Sequence, residues 1–349
     1  MSDHSCRDLW HADRSTLLRW SGGRSWVDRF IDARLDVSPE EALSVCRGAG
    51  LQFVFYGGPG YVDGLRRLHR PPAGLYVAGS SAVLQALEAR PRVTIVGTRK
   101  PTRYGMTVAG RLAGAFAARG VCVLSGLALG IDGRAHRAAL DAGGLTAAVL
   151  GCGADVVYPR SHRELYERII ANGVILSEYA PGSTPTAWSF PERNRLLAAL
   201  GDAVVVVEAP ARSGALITAH RAMELGKDVF AVPGPVTCRE SDGCNRLIYD
   251  GAIPCLEPAE VVEDFLRATR MERGRRGPVS AAERVERPDG GGSDPTHRLV
   301  VLALSAGAET VDEVARAVGV SVREASVALT MLEVGGGVVR CGPGRYAIA

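Results

Sequence analysis

Val93-Thr94-Ile95-Val96-Gly97-Thr98-Arg99 is a short β-branched run that breaks at a glycine and at once offers a hydroxyl and a guanidinium. Val93, Ile95 and Val96 suit a buried strand, and Gly97 lets the backbone approach a ligand closely. A helix read from Tyr104 to Arg119 points its first N–H groups back toward the turn. This is a strand–turn–helix geometry for holding phosphate. The turn lacks the G-x-G-x-x-G fingerprint, and Gly226-Lys227 is followed by Asp228, so no G-x-x-x-x-G-K-[ST] loop is present. Dinucleotide and P-loop chemistry therefore lose their main support, and no cofactor is expected.

Outward from this run, strands read at Val93 to Gly97, Val121 to Ser125, Leu145 to Leu150, Val174 to Ser177, Ala203 to Glu208 and Val229 to Val232, with helical patterns between them. The first helix puts Val108, Leu112, Ala115 and Phe116 on one face and stops at Gly120. Such alternation, with strands apolar throughout, predicts an α/β fold: a parallel sheet covered by helices on both faces. The core spans residues 71–266.

Residues 1–70 read as a small helical domain, with Ser38-Pro39-Glu40-Glu41 as a helix start. Residues 267–295, which hold Arg-Gly-Arg-Arg-Gly-Pro and Asp-Gly-Gly-Gly-Ser, read as a flexible linker. Residues 296–349 give three short helical patterns and a Gly-rich hairpin, the order of a winged helix-turn-helix.

The 349 residues carry a net charge of only +3, and no apolar run approaches a membrane span. The start is too polar for a secretory signal, so a cytoplasmic protein with no membrane partner is expected. The eight cysteines form no C-x-x-C pair, and no metal site is expected. Positive charge is mostly arginine, which grips phosphate bidentately and stacks on bases.

In doubly wound sheets ligands bind beyond the carboxyl ends of the strands. The residues there are Gly97, Thr98 and Arg99; Ser125 and Gly126; Gly151; Glu178; Arg212, Ser213 and Gly214; and Pro233 with Gly234. Glycine, hydroxyl and arginine suit phosphate oxygens. No nucleophile–base pair stands out, so no catalytic residue is assigned. His136 reads as a helix-surface residue and Asp132 as that helix's cap. Glu178 and Glu208 read as capping or Arg-pairing groups before an acid/base pair. In Ala187 to Leu197, AWSFPERNRLL, the rings of Trp188 and Phe190 stand beside Arg193 and Arg195, a combination suited to single-stranded nucleic acid; Phe190 is either such a stacking face or core.

With these residues in hand the chain resembles the DprA/Smf family of bacterial DNA-processing proteins. VTIVGTRKPTRYG, SGLALGIDGRAH, LGCGADVVYP, LSEYAPG, FPERNRLLAAL, ARSGALITA, FAVPG and GCNRLIYDGA follow in the family's order over the core. The resemblance implies a Rossmann-like core that binds and protects single-stranded DNA, helps load the RecA recombinase in natural transformation, and dimerises. It assigns DNA contacts to Gly97, Thr98, Arg99, Ser125, Gly126, Phe190, Arg193, Asn194, Arg195, Arg212, Ser213 and Gly214. It also places Leu247, Ile248, Tyr249 and Ile253 near a homodimer surface. Thr98 replaces the family's usual serine, and Leu129 stands where the family commonly has arginine.

The competing enzyme reading is a nucleotide-processing phosphoribohydrolase on a related fold. That group carries P-G-G-x-G-T-x-x-E, whereas here Pro233-Gly234 is followed by Pro235 and Val236. A third reading, a transcription regulator led by the winged helix, meets a module in which Arg298, Arg316, Arg323, Arg340 and Arg345 are balanced by Glu309, Asp312, Glu313, Glu324 and Glu333.

Overall fold

The computed structural model describes residues 11–21, 26–36, 38–276, 300, 303–304, 310–318, 320–334, 338–342 and 345–348. The chain divides into two compact units, residues 32–278 and residues 1–31 with 279–349. Helices α1 (Arg14–Ser21), α2 (Trp26–Asp36) and α3 (Pro39–Gly48) open the described chain. Ser38 starts α3, its hydroxyl accepting the Glu41 N–H at 3.3 Å.

The larger unit continues with β1 (Gln52–Phe55), β2 (Gly74–Gly79) and α4 (Ser81–Ala89). Strand and helix then alternate: β3 (Arg92–Val96), α5 (Arg103–Ala118), β4 (Cys122–Ser125), α6 (Ile131–Asp141), β5 (Thr146–Leu150), α7 (Arg163–Asn172) and β6 (Val174–Ser177). The second half adds α8 (Ser189–Leu200), β7 (Ala203–Val206), α9 (Gly214–Glu224), β8 (Val229–Ala231), α10 (Asp242–Tyr249), β9 (Ile253–Pro254) and α11 (Pro258–Arg276). All nine strands join one sheet in the order β1-β2-β6-β5-β4-β3-β7-β8-β9. From β6 to β9 every pairing is parallel, while β1 and β2 are antiparallel at one edge. This is a Rossmann-like α/β sheet.

The near-continuous apolar strands have their explanation in the two-sided core. Val93 and Ile95 of β3 pack into one cluster with Phe116, Val123, Val205 and Phe265, while Val96, Leu124, Val204 and Val206 face a second cluster with Leu197 and Ala219. Side chains alternate across the sheet with a period of two, and helices cover both faces, so neither face tolerates polar residues without a partner. Buried Thr94 meets that demand by donating its hydroxyl to the Leu197 carbonyl at 2.8 Å, which ties α8 to β3.

The sheet differs from the sequence expectation in gaining β2 and β9, which were not read as strands, and in the antiparallel pairing of β1, β2 and β6 where a parallel sheet was expected; two further stretches differ as well. Residues 52–55, inside the region read as helical, form edge strand β1, and Tyr61, Val62 and Leu65 pack into the sheet's core. Helix α11 runs through the first part of the stretch read as linker, because Val261, Val262, Phe265 and Leu266 anchor it and the residues after them, Thr269 and Gly274 aside, are good helix formers. The rest of that stretch, 277–295, lies outside the described residues.

In the smaller unit, α12 (Val311–Val318) and α13 (Val322–Val334) are followed by the hairpin β10 (Val338–Gly342) and β11 (Arg345–Ile348). Val300, Leu304, Val314, Leu329, Val338 and Tyr346 form its core. Each helix begins with a reciprocal capping box. The Thr310 N–H donates to Glu313 Oε2 and the Glu313 N–H to Thr310 Oγ1, and Ser321 and Glu324 repeat the pattern. Two of the acids counted against a DNA-reading surface therefore have a structural role.

Candidate nucleic-acid interface

Strand β3 has β4 on one side and β7 on the other, and the chain winds outward from it in both directions. Such a switch point leaves a crevice beyond the carboxyl ends of the two diverging strands. A cleft of about 890 Å³ lies there. Gly97, Thr98 and Arg99 line it from β3, Phe190, Arg193 and Asn194 from α8, and Ser213 and Gly214 from the start of α9.

Glu208, which follows β7, holds the turn after β3. Its backbone carbonyl accepts the Thr98 N–H at 2.6 Å. Its carboxylate, only 2% exposed, accepts the Thr102 N–H at 2.8 Å and the Thr102 hydroxyl at 2.7 Å. Thr102 in turn caps α5 by accepting the Gly105 N–H at 3.2 Å. Thr98 Oγ1 accepts the Lys100 N–H at 3.2 Å, which leaves its own proton to donate. A Cβ on Gly97 would stand 2.5 Å from Ile131 Cγ1 and 2.9 Å from the Glu208 carbonyl, so only glycine permits this close crossing.

The turn after β4 is built from the inside. Ser125 is fully buried and donates its hydroxyl to the Ile95 carbonyl at 2.6 Å, so the side chain stitches β4 to β3 and does not reach the cleft. Gly126 donates its N–H to Asp132 Oδ2 at 3.0 Å and presents its carbonyl to Arg193 Nη1 at 2.8 Å. Leu127 takes the left-handed conformation with φ 55°, which an L-residue adopts only where its surroundings hold it there. Asp132, read as a cap, instead takes N–H groups from this preceding turn, since Ala128 also donates to it at 3.4 Å. Burial pushes its carboxyl up, against the opposing pull of the Arg193 guanidinium and these N–H groups.

His136 corrects a second expectation. It is fully buried, and its Nδ1 meets Thr146 Oγ1 at 2.7 Å. The Thr146 hydroxyl also lies 2.7 Å from the Val123 carbonyl. Burial pushes the imidazole down to about 3, so it is neutral at physiological pH.

Helix α8 distributes its arginines to different fates. Arg193, 5% exposed, donates to the carbonyls of Gly126 and Val149 and to Asn194 Oδ1, the last at 3.1 Å. It is a buried cation in the cleft floor. Arg195 points elsewhere: it forms an ion pair with Glu178 and donates to the Arg70 carbonyl at 2.9 Å, and it does not line the cleft. Glu178 is thus the Arg-pairing group the sequence suggested. Phe190 is half-buried, with the Arg99 guanidinium 4.8 Å from its ring centroid and the Tyr158 ring at 5.7 Å. Trp188 is 63% exposed and stands edge-on to Tyr179. Lys227 fixes the far end of α8, donating to the carbonyls of Ala198, Ala199 and Gly201.

Ser213 caps α9, its hydroxyl accepting the Ala215 N–H at 3.3 Å. Asn194 donates to the Gly214 carbonyl at 3.1 Å, which joins the start of α9 to α8. The start of α9 lines the same cleft as Thr98 and Arg99, so the positive end of its dipole lies there, while Ser213 takes up the Ala215 and Leu216 N–H groups. Arg212 is exposed beside this helix start but is not part of the cleft lining.

Of the twelve sequence-assigned residues, the fold brings Gly97, Thr98, Arg99, Phe190, Arg193, Asn194, Ser213 and Gly214 to one cleft and leaves Ser125, Gly126, Arg195 and Arg212 outside its main lining. Gly126 lines an adjoining smaller recess. Sequence reasoning missed Glu208 as the support of the first turn and Tyr158 as a second ring. Their only signals were a carboxylate directly after a strand and the aromatic in VVYP. Among the described residues no group of His, Cys, Asp and Glu is arranged to hold a metal, and no helix is long and apolar enough to cross a membrane.

A doubly wound sheet with a phosphate-suited switch-point cleft, joined in the same chain to a winged-helix module, defines a narrow class of α/β proteins. The chain belongs to the DNA recombination-mediator protein A family, whose model matches residues 52–266, and a DprA winged helix domain matches residues 282–344. It is 37% identical over 262 residues to Protein Smf of Synechocystis sp., covering 75% of this chain and 66%, just under two thirds, of that relative's length. It is similar in structure to DNA processing protein A of Streptococcus pneumoniae, with TM-score 0.66 and 34% identity over 73% of this chain and 87% of that one. DNA processing protein A of Helicobacter pylori, whose structure was described for its single-stranded DNA binding mode, superposes with TM-score 0.57 and 32% identity over 63% of this chain and 98% of that one.

Proposed function

We propose that this protein binds single-stranded DNA in the β3–β7 cleft, protects it and mediates loading of the RecA recombinase during natural transformation, without an enzymatic step of its own. The observation that carries the reading is the stack of Arg99 on Phe190 beside the turn of Thr98 and the start of α9. The α9 dipole, a hydroxyl and a guanidinium suit the phosphates, and the adjacent ring suits a base, so one cleft offers both halves of a nucleotide a partner. The described single-strand binding of the Helicobacter relative supports the same reading. We further assign a homodimer in the cytoplasm, and for the winged helix a protein contact or weak duplex binding.

The two carboxylates that the phosphoribohydrolase alternative could use as an acid/base pair are both engaged. Glu208 is committed to Thr102 and Glu178 to Arg195.

Anisotropy titrations with single-stranded and duplex oligonucleotides of equal length, across a salt series, test the reading. Arg193 and Arg195 are engaged within the fold, so the exposed cations lining the cleft are Arg99 and Lys100, and Arg212 of the motif set is exposed beside it. At about 0.7 per phosphate contact, log affinity for single strands should fall with log salt at a slope near minus two, shallower than a count of every arginine in the motifs would give. Equal affinity for duplex, or no salt response, refutes it. RecA filament assembly on oligonucleotides coated with a single-strand-binding protein tests the loading role.

A further inference from the structure

Phe190 is not the only ring beside the cleft. Tyr158, 38% exposed, lies with its centroid 5.7 Å from that of Phe190 and its plane tilted by 37°. The pair is tilted, at a separation typical of interacting aromatic rings. Tyr158, Phe190, Arg99 and Ala128 also line the adjoining recess, whose remaining walls include Leu129, Leu150 and Cys152. The residues shared by cleft and recess thus include two neighbouring rings, with the Arg99 guanidinium over that of Phe190, and the recess is also lined by the exposed Leu129.

We propose that Tyr158 is a further nucleobase-stacking residue, so that the strand runs from the α9 end of the cleft over Phe190 and onto Tyr158 and Leu129. The inference rests on the single-strand reading above and adds a second base seat to it. Three features favour a base as the occupant. The two rings are contiguous, so successive bases can follow one another across them. Arg99 lines both the cleft and the recess, within reach of a backbone that joins the two seats. The recess also offers the apolar Leu129 in place of a charge, and apolar surface suits bases of any sequence while giving phosphate nothing.

The test uses the full-length protein with a thymidylate 20-mer and a 20-mer containing abasic positions. Tyr158→Ala should weaken thymidylate binding by about fivefold or more, the low end for one stacked base, without changing the salt slope. It should leave binding of the abasic strand unaltered, and Tyr158→Phe should behave as wild type. Should Tyr158→Ala fail to fold, Tyr158→Leu, which retains bulk without a π face, decides by the same loss. A photocrosslinking 5-iodouracil oligonucleotide should give an adduct on Tyr158. Wild-type thymidylate affinity in both the Ala and Leu variants, an equal loss on abasic strand, or adducts confined to other residues overturns the proposal and leaves single-strand binding standing. Failure of the wild-type protein to bind either oligonucleotide overturns the single-strand reading itself.

Discussion

The guanidinium of Arg99 lies over the ring of Phe190, 4.8 Å from its centroid, joining the turn after β3 to the first turn of α8. Phosphate-binding and base-binding groups are thereby physically coupled. Arg99→Ala should flatten the salt slope by about 0.7, and Phe190→Ala should cost on the order of 1–3 kcal/mol of affinity with little change in slope. Because each removes a contact of the other, the double variant should cost less than the sum by about 0.5 kcal/mol or more. A double-mutant cycle in anisotropy checks this, and strict additivity would show that the stack has no part in binding.

Arg193 and Arg195 should separate although they stand two residues apart. Arg195→Ala breaks a part-buried pair with Glu178 away from the cleft and should leave the salt slope unaltered. Arg193→Ala strands the carbonyls of Gly126 and Val149 and the Asp132 carboxylate, and should destabilise the fold by about 3 kcal/mol or more. Thermal melts alongside the salt series distinguish the two. A flattened slope in the Arg195 variant would place that residue on DNA.

Glu208 supports the cleft without lining it. Glu208→Ala removes both acceptors of Thr102, leaving a backbone N–H without its partner at a cost of about 1–3 kcal/mol. The turn that carries Thr98 and Arg99 should loosen, so affinity should fall under conditions where the variant is still folded. Glu208→Gln retains a carbonyl acceptor and should restore most of it. Unchanged affinity in a folded Ala variant would rule out the supporting role.

Acid should destabilise the core through His136. Its folded-state value is pushed down to about 3, against about 6.5 unfolded. Between those values the unfolded chain binds a proton that the native state does not, so this residue's contribution falls as pH drops through that window, by a few kcal/mol at most. Asp132, whose carboxyl burial pushes up, acts in the opposite sense at the acid end. Denaturant unfolding of wild type and His136→Gln from about pH 7 to about pH 4 isolates the histidine, because the gap between the two proteins should narrow as pH falls. A constant gap contradicts the assignment.

Self-association should run through the exposed part of the α10–β9 region. Tyr249 is 82% exposed, and Ile253 and Leu256 are exposed beside it, whereas Leu247 belongs to the core. Apolar surface of this kind favours an interface. Sedimentation of wild type and Tyr249→Glu at micromolar concentration should show a dimer and a monomer. Monomers in both would remove the homodimer.

The alternating strands were legible because a parallel sheet covered on both faces forces its strands to be apolar throughout. Strands read at Val93, Val121, Leu145, Val174, Ala203 and Val229 lie within a residue or two of those observed. Gly97 and the hydroxyl and guanidinium after it were legible for a related reason: a chain turn against another backbone admits only glycine, and its neighbours must then meet solvent or ligand. Edge strand β1 was not legible, since three of its four residues are exposed and it has only one neighbour, β2, so it lacks the continuous apolar run of the central strands. The fates of Arg193 and Arg195 were likewise decided by tertiary structure. Two residues on a helix differ by about 200° in direction, so one guanidinium turns in to the carbonyls of Gly126 and Val149 and the other out to Glu178. Composition announces the charge of an arginine, but only the packed neighbours determine whether that charge is left for a phosphate.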